Sequence, residues 1–341
     1  MAEKYLTFKN ISGQEMDSYF ALFDKKAQSQ ATRVCFLSLG NITVRIENGV
    51  PELQPFIEKH FGFCVSFAPR HYDRTLRVWR EDVAALMKGN FREAENVILL
   101  PKSDDGSRID ISLVNNTIIA FNVGAQTLYY SLRNFSHDLI RIMGHLFVKQ
   151  ITVLGRTESQ ILAHSAAVGI NGKGALLSAR GGGGKSTLAV SAMLGGFEYV
   201  ADDYVFLSKE NDKLFACPIY STINLNPEMF AKMPDLRAEY QWNSYYQPHK
   251  HTLDITAHHN SFVKRLEIKV LVFPKITDCQ EPSIELMQDG GKAKAQQAYS
   301  TAIQVADRHQ QPDYIKTLLS FVSGLEVYQI NLSADLKKNA E

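Results

Sequence analysis

Short hydrophobic runs separated by turn signals dominate the first part of the chain. The runs are rich in β-branched and aromatic residues, and several are bounded by NG, DDG or NN, which favour turns between strands. Between residues 34 and 132 they are VCFLSL, NITVRI, TLRVW, NVILL, IDISLV, NNTIIAF and TLYYSL. One segment among them, PELQPFIEKHF, has the spacing of a short helix. The pattern predicts a β-rich α+β domain over residues 1–150.

The hydrophobic period changes to that of a helix near residue 134. In NFSHDLIRIMGHLFVKQI the apolar side chains from Leu139 to Ile151 form a stripe of helical period, so we expect a helix over 134–151. Beyond it, strand-like and helix-like segments alternate, as in domains that cover a sheet with helices. A chain of 341 residues has room for two domains. We therefore expect an α/β domain over 151–341, with the boundary near residue 150.

A run of four glycines stands between a predicted strand and a predicted helix. The strand is GALLSA, the loop is ARGGGGKST, and the helix TLAVSAMLGG ends at two further glycines. Backbone N–H groups at a helix N-terminus carry partial positive charge, and glycines let them approach phosphate oxygens without an intervening Cβ. The arrangement predicts a nucleoside triphosphate site formed by Arg180, Gly181, Gly182, Gly183, Gly184, Lys185, Ser186 and Thr187.

Two side chains of this loop have specific predicted roles. Lys185 is expected to reach the β and γ phosphates, and the Ser186 hydroxyl is expected to ligate Mg²⁺. The sequence departs from the full pattern GxxxxGK[ST] at one position, because Ala179 stands where that pattern has glycine. A purely structural glycine turn is the alternative interpretation.

Two adjacent acids follow the next predicted strand, FEYVADD. The helix that starts at Ser186 and the strand back to Ala201 each span about 16 Å. Asp202 and Asp203 should therefore reach the same sheet edge as the glycine loop. Two carboxylates beside a triphosphate repel it unless a cation lies between them, which favours Mg²⁺. One acid would then hold the metal and the other would accept a proton; an ordinary solvated turn is the alternative.

A histidine falls near the same site by counting across a predicted hairpin. If Asn171 and Gly172 form a two-residue turn, paired positions sum to 343, which sets His164 opposite Ala179 at the mouth of the glycine loop. An imidazole there could orient a carboxylate that takes a proton, or could contact phosphate directly. A histidine with a structural role only is an equally weighted alternative.

Composition narrows the classes of partner. Hydrophobic residues make up 45% of the chain, charged residues 21%, and the net charge is +1, values typical of soluble globular proteins. The N-terminus lacks the apolar core of a signal peptide, and no apolar stretch is long enough to span a bilayer. We expect a cytoplasmic protein without nucleic-acid or membrane partners. The four cysteines show no CxxC spacing, which indicates neither a zinc site nor a disulfide framework.

The segment LAHSAAVGINGKGALLSARGGGGKSTLAVSAMLGGFEYVADDYVFL resembles the nucleotide-binding core of the HPr kinase/phosphorylase family. That family has a histidine, a turn, a strand, a P-loop, a helix and a strand ending in Asp-Asp, in this order. The resemblance implies a P-loop kinase fold related to phosphoenolpyruvate carboxykinase, with ATP and Mg²⁺ as cofactors. It also implies that Asp202 is the general base helped by His164, that Lys185 holds phosphate, and that Ser186 and Asp203 hold the metal.

The resemblance covers about 45 residues well. This chain departs from the family in three ways: Ala179 replaces a glycine, the N-terminal half does not match, and the C-terminal signature is missing. The target therefore need not be HPr. Similar proteins also include kinases of peptides and of small hydroxy compounds. The first hypothesis is therefore an ATP- and Mg²⁺-dependent kinase that phosphorylates a hydroxyl of a protein, a peptide or a small molecule. The alternative is a nucleotide-sensing interaction protein that binds ATP without catalysis, which Ala179 favours.

Other features leave several interpretations open. The cations Lys250, Lys264 and Arg265 could fold over the phosphates or lie on the surface. The aromatic stretch from Tyr240 to Tyr246 could be a lid or could pack between domains, and the neighbouring histidines are better interpreted as a polar loop than as a metal site. The first domain could bind a leader peptide, recognise the acceptor or build a homo-oligomer.

Overall fold

The computed structural model describes residues 6–8, 12–86, 97–100, 105–112, 116–133, 145–237, 240–243, 251–306 and 310–339. Within these ranges the protein has a mixed α/β fold with three β-sheets. The chain divides into two compact units, the first comprising residues 1–37, 42–58 and 65–142 and the second residues 38–41, 59–64 and 143–341. The second unit thus begins somewhat before residue 150 and takes in two short segments of the N-terminal half.

The first unit is rich in strands, with the described parts of nine strands in one sheet. Its helices are α1 (Gly13–Gln30), α2 (Gln54–Phe61) and α3 (Val83–Leu86), with a 3-10 turn at Pro51–Leu53. Its strands are β1 (Leu6–Phe8), β2 (Arg33–Leu39), β3 (Ile42–Asn48), β4 (Val65–Ser66), β5 (Arg74–Arg80), β6 (Val97–Leu100), β7 (Arg108–Ser112), β8 (Thr117–Asn122) and β9 (Thr127–Leu132). The sheet order is β1-β6-β7-β8-β9-β5-β3-β2-β4, with both parallel and antiparallel pairs.

Helix α1 supplies much of the core of this unit. It begins with a capping box, in which the Ser12 hydroxyl accepts from the Glu15 N–H and the Glu15 carboxylate accepts from the Ser12 N–H. This exchange satisfies amide groups that a helix N-terminus otherwise leaves unpaired. One face of α1, including Phe20 and Phe23, is buried against the sheet residues Trp79 and Tyr129. Aromatic packing of this kind fixes the helix on the sheet.

The second unit alternates strands with helices. Its helices are α4 (Val148–Gly155), α5 (Lys185–Leu194), α6 (Pro227–Ala231), α7 (Gly290–Val305) and α8 (Gln311–Val322), with 3-10 turns at Gly62–Cys64 and Thr256–Ser261. Its strands are β10 (Gln160–Ala163), β11 (Ala166–Ile170), β12 (Lys173–Leu177), β13 (Glu198–Ala201), β14 (Val205–Glu210), β15 (Lys213–Cys217), β16 (Thr222–Leu225), β17 (Tyr240–Asn243), β18 (His251–Asp254), β19 (Leu266–Ile276), β20 (Ser283–Leu286) and β21 (Glu326–Leu332).

The main sheet of this unit has the order β10-β14-β15-β19-β12-β11-β13, and β21 joins it by pairing with β19 and β20. The predicted hairpin between β11 and β12 is confirmed. Asn171 and Gly172 both have left-handed backbone angles, with φ of 51° and 74°, as a two-residue turn of type I′ requires. The register pairs Ala166 with Leu177, so paired positions sum to 343 as predicted.

Strands β12 and β13 run parallel to each other, with β11 between them and antiparallel to both. The connection from β12 through α5 to β13 therefore brings the carboxyl ends of both strands to the same sheet edge. Helix α5 packs its apolar residues, among them Leu188 and Val190, against the side chains of these strands in a buried cluster. Burial on this scale fixes the position of the loop that precedes α5.

Helices α7 and α8 hold the segment between β10 and β11. The Tyr314 hydroxyl donates to the Leu162 carbonyl at 2.7 Å, and the His164 N–H donates to the Thr301 hydroxyl at 3.1 Å. The Gln297 side-chain amide donates to the Ser165 hydroxyl at 3.2 Å. These hydrogen bonds join α7 and α8 to the residues that precede the β11–β12 hairpin.

Of the described part of the predicted helix over 134–151, only 148–151 is helical. Residues 145–147 form a turn and α4 begins only at Val148. Phe147 adopts a left-handed conformation with φ of 59°, and such a residue interrupts a right-handed helix. Residues 134–144 lie outside the described part of the chain. No helix among the described residues is long and apolar enough to cross a membrane.

Candidate functional site

The glycine loop between β12 and α5 depends on the absence of side chains. Gly182 and Gly184 have φ of 80° and 89°, angles that residues with a Cβ rarely adopt. A Cβ added at Gly183 would lie 2.8 Å from the Cβ of Ala179. The glycine at position 183 thus makes room for the alanine that stands where the P-loop pattern has glycine. The departure at position 179 is therefore compatible with a closed, ordered loop.

The loop lines a cavity of about 180 Å³. Helix α5 starts at Lys185, and the first helical N–H to bond within it is that of Leu188, which donates to the Gly184 carbonyl at 2.9 Å. The N–H groups of a helix before that point have no partner within the helix. The cavity is lined by residues 179–187 together with His164, Asp203, Asn224, Leu225, Asn226, Met229 and Ile276. Every predicted nucleotide-binding residue thus borders one cavity.

Lys185 connects the glycine loop with the two acids at the end of β13. Its side chain is buried, and its ammonium group forms an ion pair with the Asp203 carboxylate. The same ammonium donates to the Asp202 carbonyl at 3.0 Å. The structure therefore brings together the lysine and the acids that the strand and helix lengths placed at one edge.

Asp203 is the centre of the charged cluster. Its Oδ1 lies 2.7 Å from His164 Nε2, and its Oδ2 lies 2.5 Å from His145 Nε2. Burial alone would raise the pKa of the Asp203 carboxyl, but the Lys185 ammonium and the two imidazoles outweigh it and hold the pKa well below its usual range. Asp203 is therefore ionised at neutral pH and lines the cavity.

A chain of hydrogen bonds fixes the protonation of His164. An ionised Asp203 can only accept, so His164 Nε2 carries the proton in their 2.7 Å bond. Burial, followed by the charge of Lys185, lowers the pKa of His164 and favours the neutral ring. Its Nδ1 then accepts from the Gln304 amide at 2.6 Å, and the Gln304 carbonyl accepts from the Tyr204 hydroxyl at 2.9 Å. His164 is thus oriented as a donor to Asp203.

Asp202 has a different environment from its neighbour. It is 3% exposed and does not line the cavity. Burial and the charge of Asp203 raise its pKa, while a hydrogen bond from the Ser186 side chain is among the interactions that lower it. The Asn224 N–H approaches its Oδ2 at 3.5 Å. Asp202 therefore contacts the Ser186 hydroxyl and is not exposed to the cavity.

No group of three or more His, Cys, Asp or Glu side chains in the described ranges is arranged to hold a metal ion. This donor set still fits Mg²⁺ bound with a nucleotide, because Mg²⁺ in such sites keeps several waters and takes one or two protein ligands besides phosphate oxygens. Ser186 and the adjacent Asp202 offer a hydroxyl and a carboxyl at the start of α5. Both side chains offer oxygen donors of the kind that Mg²⁺ prefers.

Three residues of the cluster are missing from the sequence-based prediction. His145 precedes α4, Gln304 lies near the end of α7, and Asn224 lies in β16. His145 contacts Asp203 and approaches the Asn224 amide at 3.4 Å. No local pattern connects these residues to the glycine loop, because each arrives from a separate element.

Several other candidates lie elsewhere. Arg265 pairs with Glu210 at 2.6 Å and stacks over the Phe215 ring at 3.6 Å, and neither it nor Lys264 lines the cavity. Lys250, His249, Tyr245 and Tyr246 lie outside the described residues. In this arrangement Arg265 is therefore not one of the cations that could fold over the phosphates.

Comparison with known proteins gives similarities to solved structures. No family model matches the sequence, and no curated protein matches it. The solved structure of the Hpr(Ser) kinase/phosphatase from Coxiella burnetii is similar to 52% of this chain and 88% of its own, with 13% identity and a TM-score of 0.27. A similarity of this size is distant and is too slight to carry a functional assignment.

Replacing the two acids by asparagine, one at a time, is expected to destabilise the protein only at position 203. At neutral pH, Asp203→Asn leaves the buried Lys185 ammonium without its carboxylate, which costs about 3 kcal/mol and lowers the thermal midpoint by roughly 6–12 °C for a unit of this size. Asp202→Asn removes a carboxyl group whose ionisation burial opposes, so its midpoint should be equal or higher. Thermal unfolding followed by circular dichroism measures both, and equal losses in the two variants would contradict the assignment.

The destabilisation by Asp203→Asn should depend on pH. Because the pKa of Asp203 is depressed in the folded state, its contribution is complete above the ordinary aspartate pKa of about 3.9 and is lost as the pH falls toward the folded value. The midpoint difference between wild type and variant should stay constant from about pH 7 to 5 and shrink below about pH 4. A difference that persists unchanged at about pH 3 would show that the ion pair is not its source.

Gln304→Leu is expected to remove the hydrogen bond that keeps His164 Nδ1 unprotonated. The wild type should show His164 protonated on Nε2 in nitrogen-15 NMR spectra, because the Gln304 amide donates to Nδ1. Without that donor, the variant should show protonation at both nitrogens as its pH is lowered from neutral. Gln296→Leu, the same substitution on the same helix, is the control. An identical titration of His164 in wild type and Gln304→Leu would exclude this positioning role.

Proposed function

We propose that the second unit binds ATP and transfers its γ-phosphoryl group to a hydroxyl. The observation that carries the proposal is the juxtaposition in one cavity of a glycine loop at a helix N-terminus, a buried lysine and an ionised carboxylate. Backbone amides and Lys185 form a site for a phosphate chain. A carboxylate beside that chain is suited to accept the proton of an incoming hydroxyl.

Lys185 has two competing partners in this proposal. Without nucleotide it neutralises Asp203. The β and γ phosphates of a bound nucleotide offer the same ammonium a second anionic partner. As Lys185 turns toward them, Asp203 loses its main counter-charge and its proton affinity rises. Nucleotide binding would therefore prepare the carboxylate to act as a base.

The geometry favours a different division of roles between the acids from the one that the family resemblance implies. Asp203 lines the cavity and carries the negative charge, which suits the general base. Asp202 is buried beside the Ser186 hydroxyl, which suits a metal-holding carboxyl. We therefore assign proton acceptance to Asp203 and metal binding to Ser186 and Asp202.

His164 supports Asp203 and does not replace it as base. Its Nε2 proton is donated to Asp203 and its Nδ1 is occupied by Gln304. The imidazole thereby fixes the orientation of a carboxylate that lines the cavity. The reaction then forms a bond between the acceptor oxygen and the γ-phosphorus, breaks the bond from that phosphorus to ADP, and moves the hydroxyl proton to Asp203. Bound Mg²⁺ would neutralise charge on the phosphates during transfer.

A second candidate function is ATP binding without transfer. The observation that favours it is that Lys185 and two histidines hold the pKa of Asp203 well below its usual range, which makes the carboxylate a weak base in this arrangement. A nucleotide sensor would keep that arrangement when ATP is bound.

Transfer of label from γ-labelled ATP distinguishes these proposals. Wild type should phosphorylate an acceptor from a set of serine peptides and small alcohols. Asp203→Asn should lower kcat by about 10²-fold or more, with the Kd for MgATP changed only a few-fold. Asp202→Asn should instead raise the Mg²⁺ concentration required for half-maximal rate. Both variants are compared at saturating ATP.

Three outcomes would decide against parts of the assignment. ATP binding without label transfer to any acceptor or to water would support the sensor. Loss of kcat in Asp202→Asn at saturating Mg²⁺, with full activity in Asp203→Asn, would restore Asp202 as base. Failure of wild type to bind MgATP would remove the nucleotide site itself.

A further inference from the structure

A second cavity lies directly beside the glycine loop. It has a volume of about 340 Å³. It shares Ala179 and Arg180 with the cavity of about 180 Å³ that the glycine loop lines, here called the phosphate cavity. Its remaining wall comes from Ser178, from Phe273 of β19, and from one side of α7 between Gln296 and Gln304. The two cavities therefore meet at the first residues of the loop.

This second cavity adjoins the side of the phosphate site where transfer would occur. Gln304 lines it and donates to His164, which lines the phosphate cavity and donates to Asp203. The lysine of a P-loop approaches the β and γ phosphates of the nucleotide. In this protein the corresponding residue, Lys185, forms an ion pair with Asp203. The γ-phosphoryl end of a bound nucleotide would thus face Asp203 and His164, next to this cavity.

One buried group in the cavity wall lacks a partner. Gln297 is 1% exposed, and its amide N–H donates to the Ser165 hydroxyl at 3.2 Å. Its Oε1 is buried and has no hydrogen-bond partner within the described part of the chain. Buried carbonyl oxygens are almost always paired. Because Gln297 lines the cavity, a shift of its amide would expose this oxygen to an N–H or O–H group of a ligand, which would supply the missing donor.

The rest of the wall is mixed in character. Phe273 and Ile303 are apolar, Ser178 and Ser300 are small and polar, and Tyr299 is 57% exposed. Cavities of about 300–1,000 Å³ that combine apolar walls with a few polar groups are typical of small-molecule sites. At about 340 Å³ this one is at the small end of that range.

We propose that this cavity binds the phosphoryl acceptor as a free small molecule. The acceptor carries the reacting hydroxyl, a second N–H or O–H group that donates to Gln297, and a short apolar portion that contacts Phe273 and Ile303. The inference deepens the proposed kinase function and rests on it for the identity of the reaction. It commits to a small hydroxy compound, and a serine peptide or protein is an outcome of the test.

Direct binding is measured first, by titration calorimetry on the full chain with a non-hydrolysable ATP analogue and Mg²⁺ present. The probes are short-chain diols and amino alcohols, each paired with the monohydric alcohol of equal length. Diols and amino alcohols should bind about tenfold more tightly than their partners, because only they can donate to Gln297 and at the same time place a hydroxyl toward Asp203. Gln297→Met should reduce that preference to less than about twofold. Absence of binding by every probe would overturn the inference.

A substitution that fills the cavity provides a second test, independent of Gln297. Ser300→Phe places a ring in the cavity and should weaken probe binding at least about tenfold, with the Kd for the ATP analogue unchanged within about twofold. Ala295→Phe adds the same ring at an exposed position of α7 that does not line the cavity, and should change neither quantity. Probe binding that survives Ser300→Phe would overturn the inference, as would an equal loss of nucleotide affinity.

Label transfer separates this inference from the proposed function. Transfer to a diol or amino alcohol that is lost in Ser300→Phe and kept in Ala295→Phe supports both. Probe binding that depends on the cavity, without any transfer, supports the small-molecule site and removes the kinase. Transfer to a serine peptide that Ser300→Phe leaves intact supports the kinase and removes the small-molecule acceptor.

Discussion

The ion pair between Lys185 and Asp203 is the interaction on which the rest of the site depends. A buried ammonium and a half-buried carboxylate are each costly to remove from water, and their pairing offsets that cost. The pair joins the start of α5 to the end of β13. It thereby holds the glycine loop, Asp203 and His164 around one cavity. The same pair is the one that a phosphate chain would compete for.

Two neighbouring carboxyl groups of the site have pKa values that are shifted in opposite directions. Asp202 and Asp203 are adjacent in sequence, yet burial raises the pKa of Asp202, while the Lys185 ammonium and two imidazoles lower the pKa of Asp203. Environments that separate the proton affinities of neighbouring acids are characteristic of acid–base sites. The chain from Tyr204 through Gln304 to His164 extends this control to α7. The second cavity lies along that chain, because Gln304 is part of its wall.

Much of the second unit could be predicted from local sequence. The hairpin at Asn171 and Gly172 requires left-handed backbone at both positions, and its register placed His164 opposite the loop. The lengths of α5 and β13 brought Asp203 to Lys185. In its described part the helix predicted over 134–151 forms only from Val148, because hydrophobic period does not report the single left-handed residue Phe147. The cytoplasmic location and the role of the first unit stay predictions.

The sequence by itself determined which elements form the loop and which residues reach its edge, because turn geometry and rise per residue are local properties. Only the tertiary structure decided how the two acids differ, since their environments depend on His145, Gln304 and Asn224, which come from distant elements. It also decided that a cavity with an unpaired Gln297 oxygen lies beside the loop. Proton affinity and cavity shape arise from burial and from contacts between distant segments, which no local pattern encodes.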